Sequence, residues 1–300
     1  MRSLLYLLLL FAAYSCEKLP EADPPPDTAT ILWGSSAGAV NGETKAQAYA
    51  RVKAAFGTHD ILRYYCSGVA EWPSWLPKET TTHISFKYNA KEVLAGMHDA
   101  ALSNFFAGLG SSATIYWTYF HEPEDDIRDG AFTAKEYRDA FDHIISLQKK
   151  LNKSNLVPTL CLMSYSLTPQ SGRNWRDYLP AKVELLSWDG YYRDYMKNDV
   201  SAVFGGVRAV AKETGLPWAV AETGVNKMKN SGDINEPVPP ETRKSLLMAL
   251  AGDLKTTKPY PVFVAYFDSD PAHDATYSDW RISDDLAMVG AWKAGWDYTQ

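Results

Sequence analysis

Two stretches decide the fold: Ile115-Tyr-Trp-Thr-Tyr-Phe120 running into His121-Glu122-Pro123-Glu124, and Trp218-Ala-Val-Ala221 running into Glu222-Thr223-Gly224. Each is a short, nearly unbroken run of apolar and aromatic residues, the pattern of a strand covered on both faces. Each stops at a carboxylate. The same theme recurs on either side, with strands expected at Ala29–Trp33, Ile61–Cys66, Thr82–Phe86, Thr114–Phe120, Leu156–Met163, Val183–Trp188, Trp218–Ala221 and Val262–Phe267. Helical patterns fill the intervals at Thr44–Phe56, His98–Gly108, Thr133–Leu151, Val200–Thr214, Pro240–Lys255 and Ser283–Ala294. Thr133-Ala-Lys-Glu136 forms a capping box, and Pro239-Pro240-Glu241 puts proline and an acid at a helix start. Eight strands alternating with helices predict a closed (β/α)8 barrel, one domain over residues 29–300. The alternative is a doubly wound open sheet. It lacks a G-x-G-x-x-G after the first strand, where Trp33-Gly34-Ser35-Ser36-Ala37-Gly38 offers only a small-residue turn.

Composition narrows the function. The 300 residues are 46% hydrophobic and 22% charged, which excludes disorder and a coiled coil. A net charge of −6 argues against a nucleic-acid partner. Aromatics reach 13%, with ten Trp, 18 Tyr and 11 Phe, enough to line a core and also to stack on the apolar faces of sugars.

The N-terminus reads as an export signal over residues 1–15. Arg2 gives the positive flank, Leu4–Ala13 is too short to span a bilayer, and Ala13-Tyr14-Ser15 suits a signal peptidase. Cys16 follows directly, so two outcomes stay open: a lipidated Cys16 attached to a membrane, or simple secretion. Residues 16–28, rich in proline, form a stiff polar tether. The expected location is periplasmic, cell-surface or secreted. Cys66 and Cys161, on different strands, are expected as free thiols.

At the C-terminal ends of barrel strands, residues face the mouth where such folds keep their chemistry, so Glu122 and Glu222 should meet there. Hydrolysis of a glycosidic bond needs two carboxylates, one donating a proton and one stabilising or attacking the anomeric carbon. Either glutamate alone would also serve as a helix cap. The two together, at the fourth and seventh strand ends, favour chemistry. Two acidic clusters, Glu124-Asp125-Asp126 and Asp268 to Asp274, contain calcium-type oxygens but lack the spacing of a binding loop, so no metal or cofactor is expected. No G-x-S-x-G supports an ester or amide hydrolase.

His121-Glu122 after strand four, with Glu222 after strand seven, resembles the paired glutamates of the barrel clan of retaining glycoside hydrolases, and within it glycoside hydrolase family 26, the endo-β-mannanase family. Ser187-Trp188-Asp189-Gly190-Tyr191 is similar to that family's sixth strand, which carries a tyrosine near the nucleophile. The chain departs from the pattern at Pro123-Glu124 and at Tyr266-Phe267-Asp268. The resemblance implies double displacement on a β-mannan or related β-glycan, with Glu122 as acid and base and Glu222 as nucleophile, their carboxyls about 5–5.5 Å apart. It implies that His121 orients a carboxylate or bonds the sugar, and that Tyr191 or Tyr192, with Arg63, holds Glu222 ionised. Arg63 and Lys87 read as substrate ligands or ion-pair partners; Trp188 and Tyr191 as sugar contacts or core; Trp280 as a sugar contact or surface rim. The partner is a carbohydrate, the chain a monomer, and a non-catalytic carbohydrate-binding barrel is the rival function.

Overall fold

The computed structural model describes residues 30–40, 42–57, 59–192, 199–227, 236–269 and 279–297. The expected signal peptide, the tether and Cys16 lie outside the described residues, as do Asp270, His273 and Asp274.

Eight strands form the sheet: β1 (Leu32–Ser36), β2 (Ile61–Tyr65), β3 (Thr82–Phe86), β4 (Ile115–Tyr119), β5 (Leu156–Met163), β6 (Leu185–Tyr192), β7 (Trp218–Val225) and β8 (Phe263–Tyr266). Each runs parallel to the next, and β8 returns to β1, so the sheet closes. The chain is a single (β/α)8 barrel, as the alternating pattern predicts. The helices are α1 (Lys45–Phe56), α2 (Ala90–Leu94), α3 (Asp99–Gly108), α4 (Pro123–Arg128), α5 (Ala134–Lys149), α6 (Gly205–Thr214), α7 (Pro240–Thr256) and α8 (Leu286–Asp297).

The capping box at the start of α5 is present, with Thr133 accepting from the Glu136 N–H while the Glu136 carboxylate accepts from Thr133. Tyr137, Ala140, Phe141, Ile144, Ile145 and Gln148 then make a buried stripe at helical spacing that faces the barrel. Thr44 caps α1 in the same way through Gln47.

Strand boundaries differ from expectation in two informative places. Gly34, Ser35 and Ser36 belong to β1, not to a turn, because only glycine lets the strands approach there. A Cβ on Gly34 would stand 1.8 Å from the Ile61 carbonyl oxygen. The sixth and seventh strands, expected to end at Trp188 and Ala221, run on instead, β6 through Tyr192 beside a β7 that reaches Val225. That long pair contains a bulge: Trp188 aligns with Val220, but Asp189 aligns with Glu222.

The two-residue period of the strands sorts their side chains into two environments. Ile61, Tyr116, Leu185, Ala219 and Phe263 form an apolar plug inside the barrel. The residues two and four positions further along β2 and β6, Arg63 and Tyr65, Ser187 and Asp189, continue that inner face toward the C-terminal mouth. Trp117, Trp188, Val220 and Tyr192 belong instead to the larger core, between sheet and helices.

Candidate active site

Above the apolar plug the barrel interior turns polar. His83 bonds the Thr118 hydroxyl at 2.8 Å, Thr118 donates to the Thr159 carbonyl at 2.7 Å, and Arg63 donates to Ser85 at 2.9 Å. All of these side chains are buried, so each contact satisfies a group that would otherwise be costly to hide.

Glu222 stands at the centre of this mouth. The Tyr65 hydroxyl donates to its Oε1 at 2.6 Å, and the Tyr191 hydroxyl donates to its Oε2 at 2.5 Å. The Arg63 guanidinium lies 3.6 Å from Oε1, its Cζ 4.1 Å from the centre of the Tyr65 ring. Burial, and then the Glu222 charge, holds both phenols well above the ordinary tyrosine range, so they remain donors. The β7 bulge makes this possible. Val220 and Glu222 would share a face in a regular strand, but the extra residue, Ala221, turns Glu222 inward while Val220 stays in the outer core.

Glu122 arrives from the end of β4 on a strained backbone. Phe120 and Glu122 have φ of 53° and 50°, left-handed values that non-glycine residues seldom adopt. The kink is held by the Phe120 N–H on the Phe86 carbonyl and the Glu122 N–H on the Cys161 carbonyl. Burial, with the charge of Glu222 next and that of Glu124 after it, pushes the Glu122 carboxyl up to about 8. The charge of Glu222 thus reaches Glu122, and the two carboxyls sit in unlike settings, one rich in donors and one that favours its proton.

The other sequence candidates divide. His121 packs against the Tyr65 ring, centroids 5.5 Å apart, and burial with the nearby Arg63 and Lys87 keeps it well below the ordinary imidazole range, hence neutral. Lys87 holds its ammonium 4.5 Å over the Phe120 ring, beside Glu122. Of the two candidate tyrosines, Tyr191 reaches Glu222. Tyr192 points the other way into the outer core, a correction that the strand period explains. Trp188 is corrected for the same reason: it is 1% exposed and lies beneath the helices, so it cannot touch a substrate. Trp280 is buried rather than a rim residue, with its ring 4.3 Å from that of Tyr191 and its carbonyl accepting from Tyr266.

Three further groups belong to the site. Tyr65 sits two residues beyond Arg63 on the same face of β2, a spacing that signals it. Phe267 packs edge-on against both Tyr65 and Tyr191, at 6.3 and 5.9 Å, and holds the two phenols upright. Asp189 lies deeper, with the Cys161 thiol on its Oδ2 at 3.3 Å. Burial, with the charges of Glu222 and Glu122 behind it, drives Asp189 well above the usual carboxylate range, so it is held neutral. Cys66 and Cys161 are both free.

Two of the carboxylates that suggested calcium, Glu124 and Asp268, are engaged elsewhere. Glu124 accepts from the Met163 N–H and the Ser166 hydroxyl, tying β4's end to β5's. Asp268 accepts from the Ile282 and Ser283 N–H groups and pairs with Arg51. Among the described residues no cluster has a metal-binding arrangement.

No family model and no curated protein sequence matches the chain. Solved structures match its shape. An endo-β-1,4-mannanase catalytic domain of glycoside hydrolase family 26 from Bacillus sp. JAMB-750 is similar with a TM-score of 0.60 at 13% identity, covering 89% of this chain and 86% of that one. A family 26 β-mannanase from Bacteroides ovatus is similar at TM-score 0.56 and 11% identity, covering 90% and 89%. A family 128 endo-β-1,3-glucanase from Amycolatopsis mediterranei, in complex with laminaritriose, is similar at 0.52 and 16%, covering 87% and 100%. What these share with the chain is the barrel.

Proposed function

We propose that the protein is a retaining glycoside hydrolase acting on a β-linked glycan. The observation that carries this reading is the asymmetric pair: Glu222, gripped by Tyr65, Tyr191 and Arg63, beside Glu122, which keeps its proton near neutral pH. In the first step Glu222 attacks the anomeric carbon while Glu122 gives its proton to the departing oxygen. Loss of the leaving group lets a water enter. Glu122, now a carboxylate, takes the water's proton as the water attacks the same carbon and the Glu222 carboxylate leaves. Tyr65 and Tyr191 hold the charge that returns to Glu222 in that second step. His121 is a neutral imidazole able to bond a sugar hydroxyl, and Lys87 stands beside Glu122.

Similarity to β-mannanases and a β-1,3-glucanase supports the β-glycan class. The test is a panel of mannan, xylan, mixed-linkage glucan and laminarin, with products followed by NMR from the first turnover. Product first formed as the β-anomer supports the reading; first-formed α-anomer overturns it, as does binding of these glycans without any hydrolysis. The export reading is part of the proposal: metabolic labelling with a fatty-acid analogue separates a lipidated Cys16 from secretion. A monomer is expected in sedimentation.

A further inference from the structure

The backbone that carries Glu122 adopts a conformation its sequence opposes. Glu122 has φ 50° and ψ 57°, and Pro123 follows it. A residue before proline is normally extended, and a non-glycine residue seldom enters the left-handed region, so two rules are broken at one position. Such a conformation persists where the surroundings over-determine it. Around Glu122 and upstream of it, the restraints are backbone bonds and one tyrosine. The Phe120 N–H donates to the Phe86 carbonyl at 2.8 Å, and the Glu122 N–H to the Cys161 carbonyl at 3.1 Å. The buried Tyr137 hydroxyl reaches the Tyr119 and Phe120 carbonyls at 3.3 and 3.4 Å.

Downstream the anchor is a carboxyl to which the two displacement steps give no part. Glu124, in the first turn of α4, is fully buried. Its Oε1 accepts from the Met163 N–H at 2.8 Å and from the Ser166 hydroxyl at 2.9 Å. Its Oε2 is buried without a hydrogen-bond partner among the described residues. Burial pushes this carboxyl up to about 7, so near pH 6 it is a neutral acid whose proton can sit on Oε2. What the position supplies is therefore an acceptor rather than a charge. Pro123 fixes its own φ at roughly −65°, which leaves few free rotations between Glu122 and Glu124. Pinning Glu124 to the end of β5 thereby sets the direction of Glu122.

We propose that Glu124 is the positioning residue of the acid: hung on the Met163 N–H and the Ser166 hydroxyl, it holds Glu122 left-handed with its carboxyl aimed at the glycosidic oxygen. The inference rests on the glycosidase reading and adds a residue to it. Glu124 itself touches no substrate, so its loss falls on proton donation and not on attack by Glu222. Leaving groups separate those two effects. Dinitrophenolate departs without a proton, whereas phenolate departs readily only when an acid supplies one.

The experiment compares kcat/KM near pH 6, where Glu124 is already neutral and loss of its charge changes nothing. The substrates are phenyl and 2,4-dinitrophenyl β-mannobioside and the same pair of β-laminaribiosides. Glu124→Met keeps the bulk of the side chain and removes the acceptor, and Glu124→Gln restores an acceptor of the same shape. For whichever sugar is hydrolysed, Glu124→Met is expected to lose about 100-fold on the phenyl glycoside and to stay within about threefold on the dinitrophenyl glycoside. Glu124→Gln should stay within about threefold of the unaltered enzyme on both. An equal fall on both leaving groups, or no fall on the phenyl glycoside, overturns the positioning role while the glycosidase reading stands. If circular dichroism shows that Glu124→Met does not fold, Ser166→Ala decides instead. A loss of about threefold or more confined to the phenyl glycoside supports the role, and its absence overturns it. No hydrolysis of any of the four by the unaltered enzyme overturns the glycosidase reading and the inference with it.

Discussion

Replacing Tyr65 by phenylalanine removes one oxygen from the grip on Glu222 and leaves the ring in place. That oxygen lies 2.6 Å from Oε1 in a buried setting, and Tyr191 and Arg63 remain. A hydrogen bond to a charged group is worth about 1.5–3 kcal/mol, which converts to a rate factor of about 10–150. The loss should fall on one step. When Glu222 leaves the covalent intermediate it regains its charge, and the missing donor no longer stabilises it. In the first step the same carboxylate surrenders charge, so the donor's absence matters less. The expected result is therefore a fall in kcat of about 10- to 150-fold with a smaller fall in kcat/KM. A burst of leaving group should appear with an activated aryl β-glycoside, and the glycosyl-enzyme should be visible by intact mass. Tyr191→Phe should behave alike. Because both phenols serve one carboxylate, the double variant should lose less than the product of the single losses. A kcat within about twofold of the unaltered enzyme in both single variants, with circular dichroism unchanged, would refute the role given to these phenols.

Two further outcomes follow from the geometry. Glu122 is held up to about 8, above its ordinary 4.5, so kcat/KM should fall as pH rises through that value and the acid becomes a carboxylate. In the same window the folded state binds more protons than the unfolded one, so stability also falls as pH rises. Glu122→Gln should therefore raise the melting temperature at pH 8 relative to the unaltered protein, each unit of the upward displacement being worth about 1.4 kcal/mol, and should abolish that pH dependence. Equal melting temperatures at pH 5 and pH 8 in both proteins would contradict it. Trp188→Ala should lose about 3–5 kcal/mol in denaturant unfolding and leave KM unchanged, because the ring lies in the outer core; a raised KM with normal stability would return it to the sugar site.

Much of the barrel is legible in the sequence because buried parallel strands are nearly continuous apolar runs, and the two runs ending at Glu122 and Glu222 expose the pair at once. Tyr191 is legible too, though not its separation from Tyr192, which needs the strand to be known as a strand. Asp189-Gly190 disguises that fact, since the pair is a common turn signal and here lies inside β6. With the strand's end unknown, Trp188 stays open between sugar contact and core. Once β6 is known to run through Tyr192, period two sends positions 189 and 191 inward and positions 188 and 192 outward. The β7 bulge has no sequence signature at Ala221, yet it decides that Glu222 faces the mouth. Tyr65 was within reach, two residues after Arg63.

The most direct measurement is chemical rescue of Glu222→Ala. Truncating the side chain empties the face of the sugar that Glu222 occupies, and a small anion such as azide can then attack from that side. The account predicts that hydrolysis of an activated β-glycoside disappears and that azide restores turnover with an α-glycosyl azide as product. Full hydrolytic activity in the variant without azide would contradict it.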